Sequence, residues 1–212
     1  MIEFEIDVPR LRFNSAVGSV VEAGLPTSTL RAVFRIAARE YRIALRSRWA
    51  LGLALLFAIF SVALVAFGTS NVGPNQYAAV IASLVELGVY LIPLAALAVG
   101  YNTVVGARTT GALDMLFALP VSQSQVVLGK YLGRGAVLGG AMVIGLGIGG
   151  VGLIAGVGLG GARQYVLFLF ASIALAAVFL GISVLVSTLV REKTQALGIV
   201  LIVWLWFVLL HD

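Results

Sequence analysis

Trp49 to Gly68 reads WALGLALLFAIFSVALVAFG, twenty residues with no charge and a single hydroxyl, that of Ser61. At about 1.5 Å of rise per residue, a helix of that length spans about 30 Å, the thickness of a bilayer's hydrocarbon core. Four more stretches of the same character follow: Ala78 to Val105, Gly133 to Leu159, Tyr165 to Val190, and the shorter Ala196 to Leu210. All are continuous and rich in Leu, Ala, Val and Gly, whereas a closed barrel would show short alternating segments. Lipid offers no partner to an unpaired peptide group, so each stretch is expected to be a helix. The fold class that follows is all-α: a polytopic membrane protein with about five transmembrane helices.

Composition agrees. Of 212 residues, 61% are hydrophobic and only 11% charged, and the mean hydropathy is +1.09; a soluble domain is about half apolar. Too little polar sequence is left for a separate catalytic domain. Cysteine is absent, which excludes disulfides, thiolate metal sites and cysteine nucleophiles. The lone histidine, His211, lies at the end of the chain and cannot serve as base for hydroxyls in other passes. Met1, Met115 and Met142 are too scattered to form a soft-metal relay. No catalytic residue and no metal ligand set is therefore expected. The net charge of +5 sits on residues flanking apolar runs rather than on one face of a folded domain, which argues against nucleic acid as a partner.

Lys and Arg are retained on cytoplasmic flanks. Arg31, Arg35, Arg39, Arg42, Arg46 and Arg48 precede the first pass, Arg108, Lys130 and Arg134 surround the loop after the second, and Arg191 and Lys193 follow the fourth. The opposite loops carry no charge from Thr69 to Tyr77 and only Arg163 between the third and fourth passes. A multi-pass protein of the cell membrane with a cytoplasmic N-terminus is expected, with His211 and Asp212 outside.

Arg31, Arg35, Arg39, Arg42 and Arg46 recur at spacings of four, four, three and four, one stripe of a helix. Val33, Phe34, Ala37, Ala38, Tyr41 and Leu45 fill much of the remainder. Residues 30–48 are thus read as an amphipathic interfacial helix with guanidinium groups on lipid phosphates; a solvated charged face continuing the first pass is the alternative. Residues 1–27 are read as a flexible tail without a secretory signal, although Ile2, Phe4, Ile6 and Val8 alternate with Glu3, Glu5 and Asp7 as in a strand. The rest, 28–212, reads as one membrane domain.

Gly145 to Gly150, GLGIGG, matches the dinucleotide-binding pattern, but that fingerprint needs a strand before it and an acidic residue after it. Inside an apolar run it has neither. Small residues four apart, such as Gly135 with Gly139 and Gly152 with Gly156 and Gly160, are expected to let helix backbones approach closely. No phosphate-binding loop motif is present, so ATP is not expected to bind this chain. Glu86 is the one acidic residue well inside a pass; it is either functional or reaches the outer headgroups. Pro93 is expected to kink the same helix.

The loop from 108 to 132 has a pattern of its own. Thr110 to Leu119 sets Leu113, Leu116, Phe117 and Leu119 against Asp114 as a short amphipathic helix, which Pro120 breaks. Ser122 with Gln125 forms an S-x-x-Q capping box, so a new helix is expected to start there and run through Val126, Val127 and Leu128 toward the membrane. The apolar side chains of this projection need a cover, either a cytoplasmic partner or the chain's own interfacial helix.

Gly111, Leu113, Asp114, Leu116, Ala118, Leu119, Pro120, Val121, Ser122, Val126, Gly129 and Lys130 match the G-x-L-[DE]-x-L-x-A-L-P-V-S-x-x-x-[VI]-x-x-G-K pattern of ABC-2 type transporter permeases. The sequence resembles that family from about Leu30 onward, and within it the NosY-like permeases associated with nitrous oxide reductase maturation and often labelled copper transport. The resemblance implies the permease subunit of an ATP-driven exporter, working as a homodimer or permease pair, with ATP and Mg held by a separate ATP-binding subunit. Gly111, Leu113, Asp114, Leu116, Phe117, Leu119, Pro120, Ser122, Gln125 and Lys130 would then couple to that subunit, Asp114 and Lys130 as peripheral ion-pair partners. Two features depart from the family: five passes where members have six, and Arg108, Thr109 and Thr110 where relatives carry acidic residues. A membrane scaffold recruiting a cytosolic protein and a secondary transporter using Glu86 are the rival readings.

Overall fold

The computed structural model describes residues 27–46, 48–69, 76–109 and 122–211, and among them it contains seven helices and no strand. They are α1 (Thr27–Arg46), α2 (Arg48–Thr69), α3 (Gln76–Gly100), α4 (Val105–Thr109), α5 (Gln123–Val157), α6 (Ala162–Leu189) and α7 (Lys193–His211). Five apolar stretches are long enough to cross a membrane: 48–68, 78–109, 123–156, 162–189 and 193–210. The five expected passes are present.

Helix α5 is the centre of the bundle and packs against α1, α2, α3 and α6. Its 35 residues rise about 52 Å, some 20 Å more than a hydrocarbon core requires. The polar side chains Gln123, Ser124, Gln125, Lys130 and Arg134 all fall in its first third, so that end projects beyond the apolar layer. The third pass was expected from Gly133; the helix in fact starts ten residues earlier, at the capping box, because nothing between Gln123 and Gly133 interrupts it. It ends at Val157, where Gly158 adopts φ 90° and donates its N–H to the Ile154 carbonyl, a backbone conformation that suits a residue without Cβ.

Close helix approach occurs at Gly145 and Gly149 rather than at Gly135, Gly139 or Gly152. A Cβ on Gly145 would stand 2.7 Å from the Ala54 carbonyl oxygen of α2, and one on Gly149 would collide with Ser61. Around Gly139 there is nothing within 4 Å, and near Gly152 only Val65 at 3.9 Å. Spacing four identifies a stripe of small residues, but which stripe faces a neighbour depends on the register between helices. The Gly145–Gly149 stripe brings α2 near enough for Ser61 Oγ to donate to the Gly145 carbonyl at 2.9 Å. Phe57, Leu84, Leu138, Met142, Leu146 and Leu180 are fully buried in the core of the bundle.

The second pass differs from expectation. Helix α3 runs through Pro93 and stops at Gly100; residues 101–104 form a turn, and α4 resumes at Val105. Gly100, Asn102 and Thr103 supply the local reason, since glycine is a poor helix former and the other two side chains compete for backbone groups. Helix α7 is peripheral, held to α3 by Trp204 Nε1 donating to the Tyr90 carbonyl at 3.0 Å and to α6 by an edge-on contact of Phe207 with Phe179.

Candidate coupling site at the basic end of the bundle

Residues 110–121 connect α4 to α5. The expected coupling residues Gly111, Leu113, Asp114, Leu116, Phe117, Leu119 and Pro120 lie outside the described residues, as does the tail up to residue 26. Both roots of the connection are described, and each is fastened to a different part of the bundle.

The first root is the α3–α4 break. Ending α3 at Gly100 leaves backbone groups without helical partners, and α6 supplies them. Ser187 Oγ accepts from the N–H groups of both Val104 and Val105, each at 3.0 Å, and Ser183 Oγ adds a second donor, at 2.7 Å, to the Leu97 carbonyl, which keeps its helical bond from the Tyr101 N–H. Both serines are fully buried. In return Arg108 donates from Nη1 to the Val190 carbonyl at 3.0 Å and from Nη2 to the Thr188 carbonyl at 3.4 Å, placing a cation at the C-terminal end of α6 where the helix dipole favours it. A hydroxyl has two lone pairs, so one serine is enough to hold both freed amides.

The second root is the start of α5. Ser122 Oγ accepts from the Gln125 N–H, and Gln125 Oε1 accepts from the Ser122 N–H at 3.1 Å, closing the capping box the sequence announces. One to two turns on, α1 lies against the α5 backbone: a Cβ on Gly129 would be 3.1 Å from the Val33 carbonyl oxygen, and one on Gly133 2.8 Å from that of Ala37. Between these glycines Lys130 Nζ donates to Glu40 Oε1 at 2.8 Å, with 7% and 13% of the two side chains exposed. The glycines bring α1 near enough to bury this pair. Lys130 is therefore paired with Glu40 within the chain, because α1 lies along α5 and brings the carboxylate to it.

Glu40 was missed, and a signal for it existed. It is the only acidic residue of α1 and, at about 100° per residue, stands about 140° round the helix from the centre of the arginine stripe. Arg31, Arg35, Arg39, Arg42 and Arg46 are all exposed, while Val33 on the Glu40 side is buried. Phe34, Tyr41 and Leu45 are exposed on a third flank. Arg134, which the sequence reading used only as a flank charge, donates to the Val99 carbonyl at 3.0 Å and so ties α5 to the last turn of α3.

Glu86 lies far from these groups, on the exposed side of α3 with Ala82, Ser83 and Val85. Val80 meets Gly68 at the far end of α2, so Glu86 is six residues, or about 9 Å, inward of that level. No hydrogen bond or ion pair holds its carboxylate among the described residues.

Residues 34–212 match the family described as ABC-2 family transporter protein. Two relatives bear the description probable ABC transporter permease protein NosY. That of Pseudomonas aeruginosa is 38% identical over 190 residues, covering 85% of this chain and 68% of the relative. That of Stutzerimonas stutzeri is 37% identical over 187 residues, with the same shares covered. With five apolar helices long enough to span a bilayer and a family match over most of its length, the chain belongs to the ABC-2 transporter family and is a transmembrane permease subunit of an ABC transporter.

Proposed function

We propose that this permease is an exporter subunit whose 108–132 loop receives the work of ATP hydrolysis from a separate ATP-binding subunit holding ATP and Mg. On this reading the basic end of the bundle is cytoplasmic and two permeases form a pair in the cell membrane. The observation that carries it is the fastening of both loop roots. Arg108 and Ser187 join one root to α6, while the Lys130–Glu40 pair and Arg134 join the other to α1 and α3. A push on a slack loop would be lost in the loop; a push between two anchored roots moves helices.

Gly111, Leu113, Asp114, Leu116, Phe117, Leu119 and Pro120 would form the seat for the partner, Pro120 setting the angle, while Ser122 and Gln125 start the rigid helix behind it. Lys130 would then act from within, keeping α1 moving with α5. The exposed arginines of α1 would rest on lipid phosphates. The names of the relatives support a connection with the NosY type, and copper handling or nitrous oxide reductase maturation enters on that resemblance alone.

Replacing Leu116 and Phe117 together with Asp tests the seat. Loss of the ATP-binding subunit on co-purification, with the permease still monodisperse, is expected; retention of that subunit and of stimulated ATP hydrolysis overturns the reading. The secondary-transport alternative draws on Glu86, exposed and unpaired about 9 Å below the outer level of α2, where a charge in lipid is costly. Transport in vesicles that persists without ATP, and is lost on Glu86→Gln, would favour it.

A further inference from the structure

Two buried side-chain atoms near the α3–α4 break have no hydrogen-bond partner among the described residues: Asn102 Oδ1, in the break itself, and Arg134 Nε, on α5. One is an acceptor and the other a donor, and buried polar groups are nearly always satisfied. Neither atom has surface open to water, so a partner has to come from the protein. Asn102 Oδ1 lies against Gly106 of α4, where a Cβ would collide with it. The Arg134 guanidinium is held one turn back along α3, by Nη1 on the Val99 carbonyl. Val99 and Asn102 are three residues apart and so share one face of any continuous helix. The break at 101–104 sends Asn102 to α4 instead.

We propose that the break is one state of a two-state hinge, and that in the other state α3 and α4 join into one straight helix in which Asn102 Oδ1 accepts from Arg134 Nε. Hydrogen bonds balance in both states. In the broken helix the Val104 and Val105 N–H groups donate to Ser187 Oγ. In the straight one they donate to the Gly100 and Tyr101 carbonyls, four residues back, and the two orphaned side-chain atoms pair. Two discrete arrangements of similar hydrogen bonding are what a switch requires. Space and length agree. A cavity of about 280 Å³ between α1, α2, α3 and α5 is lined by both Asn102 and Arg134, so these side chains can move without displacing a packed core. The stretch 78–109 is apolar enough to cross a membrane as one helix. Straightened from Gln76 to Thr109, it would be about 51 Å long, matching α5, which carries the other root of the 110–121 connection. The change would draw Arg108 off the Val190 and Thr188 carbonyls and part α4 from α6. What drives the hinge rests on the coupling reading, in which a push on the loop does so; the hinge itself does not.

The sequence has no cysteine, so two introduced ones can carry spin labels without further substitution. Leu87 on α3 and Thr109 on α4 are both exposed and lie on either side of the break. Pulsed electron spin resonance on the full-length permease in lipid nanodiscs, with no other subunit present, reads the distance between them. A shorter distance for the broken helix is expected together with a longer one, about 33 Å along a straight axis. Asn102→Asp makes the pair with Arg134 charge-assisted and is expected to raise the ratio of long to short about tenfold. Asn102→Ala removes the acceptor, and Arg134→Lys removes Nε while keeping a donor for the Val99 carbonyl; each is expected to abolish the longer distance. Identical distributions in the unsubstituted hinge and the Asn102→Asp variant, both monodisperse, overturn the proposal. So does a longer distance that survives Asn102→Ala. With no ATP-binding subunit in the sample, either result is independent of the Leu116 and Phe117 test of the coupling reading, and failure of that reading leaves the hinge standing.

Discussion

The two roots of the 110–121 connection are held by opposite kinds of chemistry. At the α5 root a lysine and a glutamate are paired almost out of reach of water. At the α4 root a buried serine takes two amides, and an exposed arginine caps a helix end. A buried pair is weak evidence for net stability, because desolvation offsets most of the attraction, yet removing one partner strands a charge. An exposed arginine at a helix end contributes a few tenths to about 1 kcal/mol and is screened by salt. The difference suggests distinct roles: the α5 root sets the one register in which α1 can lie, and the α4 root holds a break in a spanning helix closed.

That contrast predicts a graded series. The largest effect is expected for Glu40→Gln, which leaves Lys130 buried beside a neutral amide and costs about 3 kcal/mol, the lower end of the range for a broken buried pair, because both side chains keep slight exposure. Thermal unfolding in detergent reads this out. The double variant Glu40→Leu with Lys130→Met is expected to recover most of the loss; failure to recover would mean that the charge pair itself, rather than the stranded lysine, supplies the stability. Next comes Ser187→Ala, which deprives the Val104 and Val105 amides of their acceptor. About 2 kcal/mol is expected, visible as about 30-fold faster hydrogen exchange at those two amides, while exchange at the start of α5 stays unchanged. Equal acceleration at both roots would show that they open together and would erase the distinction drawn between them. The smallest effect is expected for Arg108→Gln, below about 1 kcal/mol and vanishing at high salt; a loss as large as that of Glu40→Gln would mean that the exposed cap is the principal anchor.

Glycines teach a related lesson within one helix. Gly145 and Gly149 meet the backbone and Ser61 of α2, Gly129 and Gly133 meet α1, and Gly139 meets nothing. All belong to the same glycine-rich helix, and periodicity alone ranks them equally. Only the rotation of α5 against its neighbours tells them apart.

How much was legible follows the same line. The capping box of Ser122 and Gln125 is local, with donor and acceptor three residues apart, so the sequence located the start of α5 even though the hydrophobic pattern alone placed the pass at Gly133. The arginine stripe of α1 was legible for the same reason. Glu40 with Lys130, Ser187 with Val104 and Val105, and Arg134 with Val99 join residues 35 to 90 positions apart. No spacing rule reaches that far. The break after Gly100 had a faint signal in Gly100, Asn102 and Thr103, hidden because an apolar run on either side reads as one continuous pass.

What the sequence determined by itself is the set of elements: which stretches must be helical in lipid, where one of them begins, and which flank carries positive charge. Each of these depends on free energies summed over neighbouring residues, chiefly the transfer of apolar side chains and the pairing of nearby backbone groups. The tertiary structure alone decided which glycines became contacts, which lysine was buried with which glutamate, and where a spanning helix stopped. Those outcomes depend on the relative rotation and depth of packed helices, which a linear pattern does not contain.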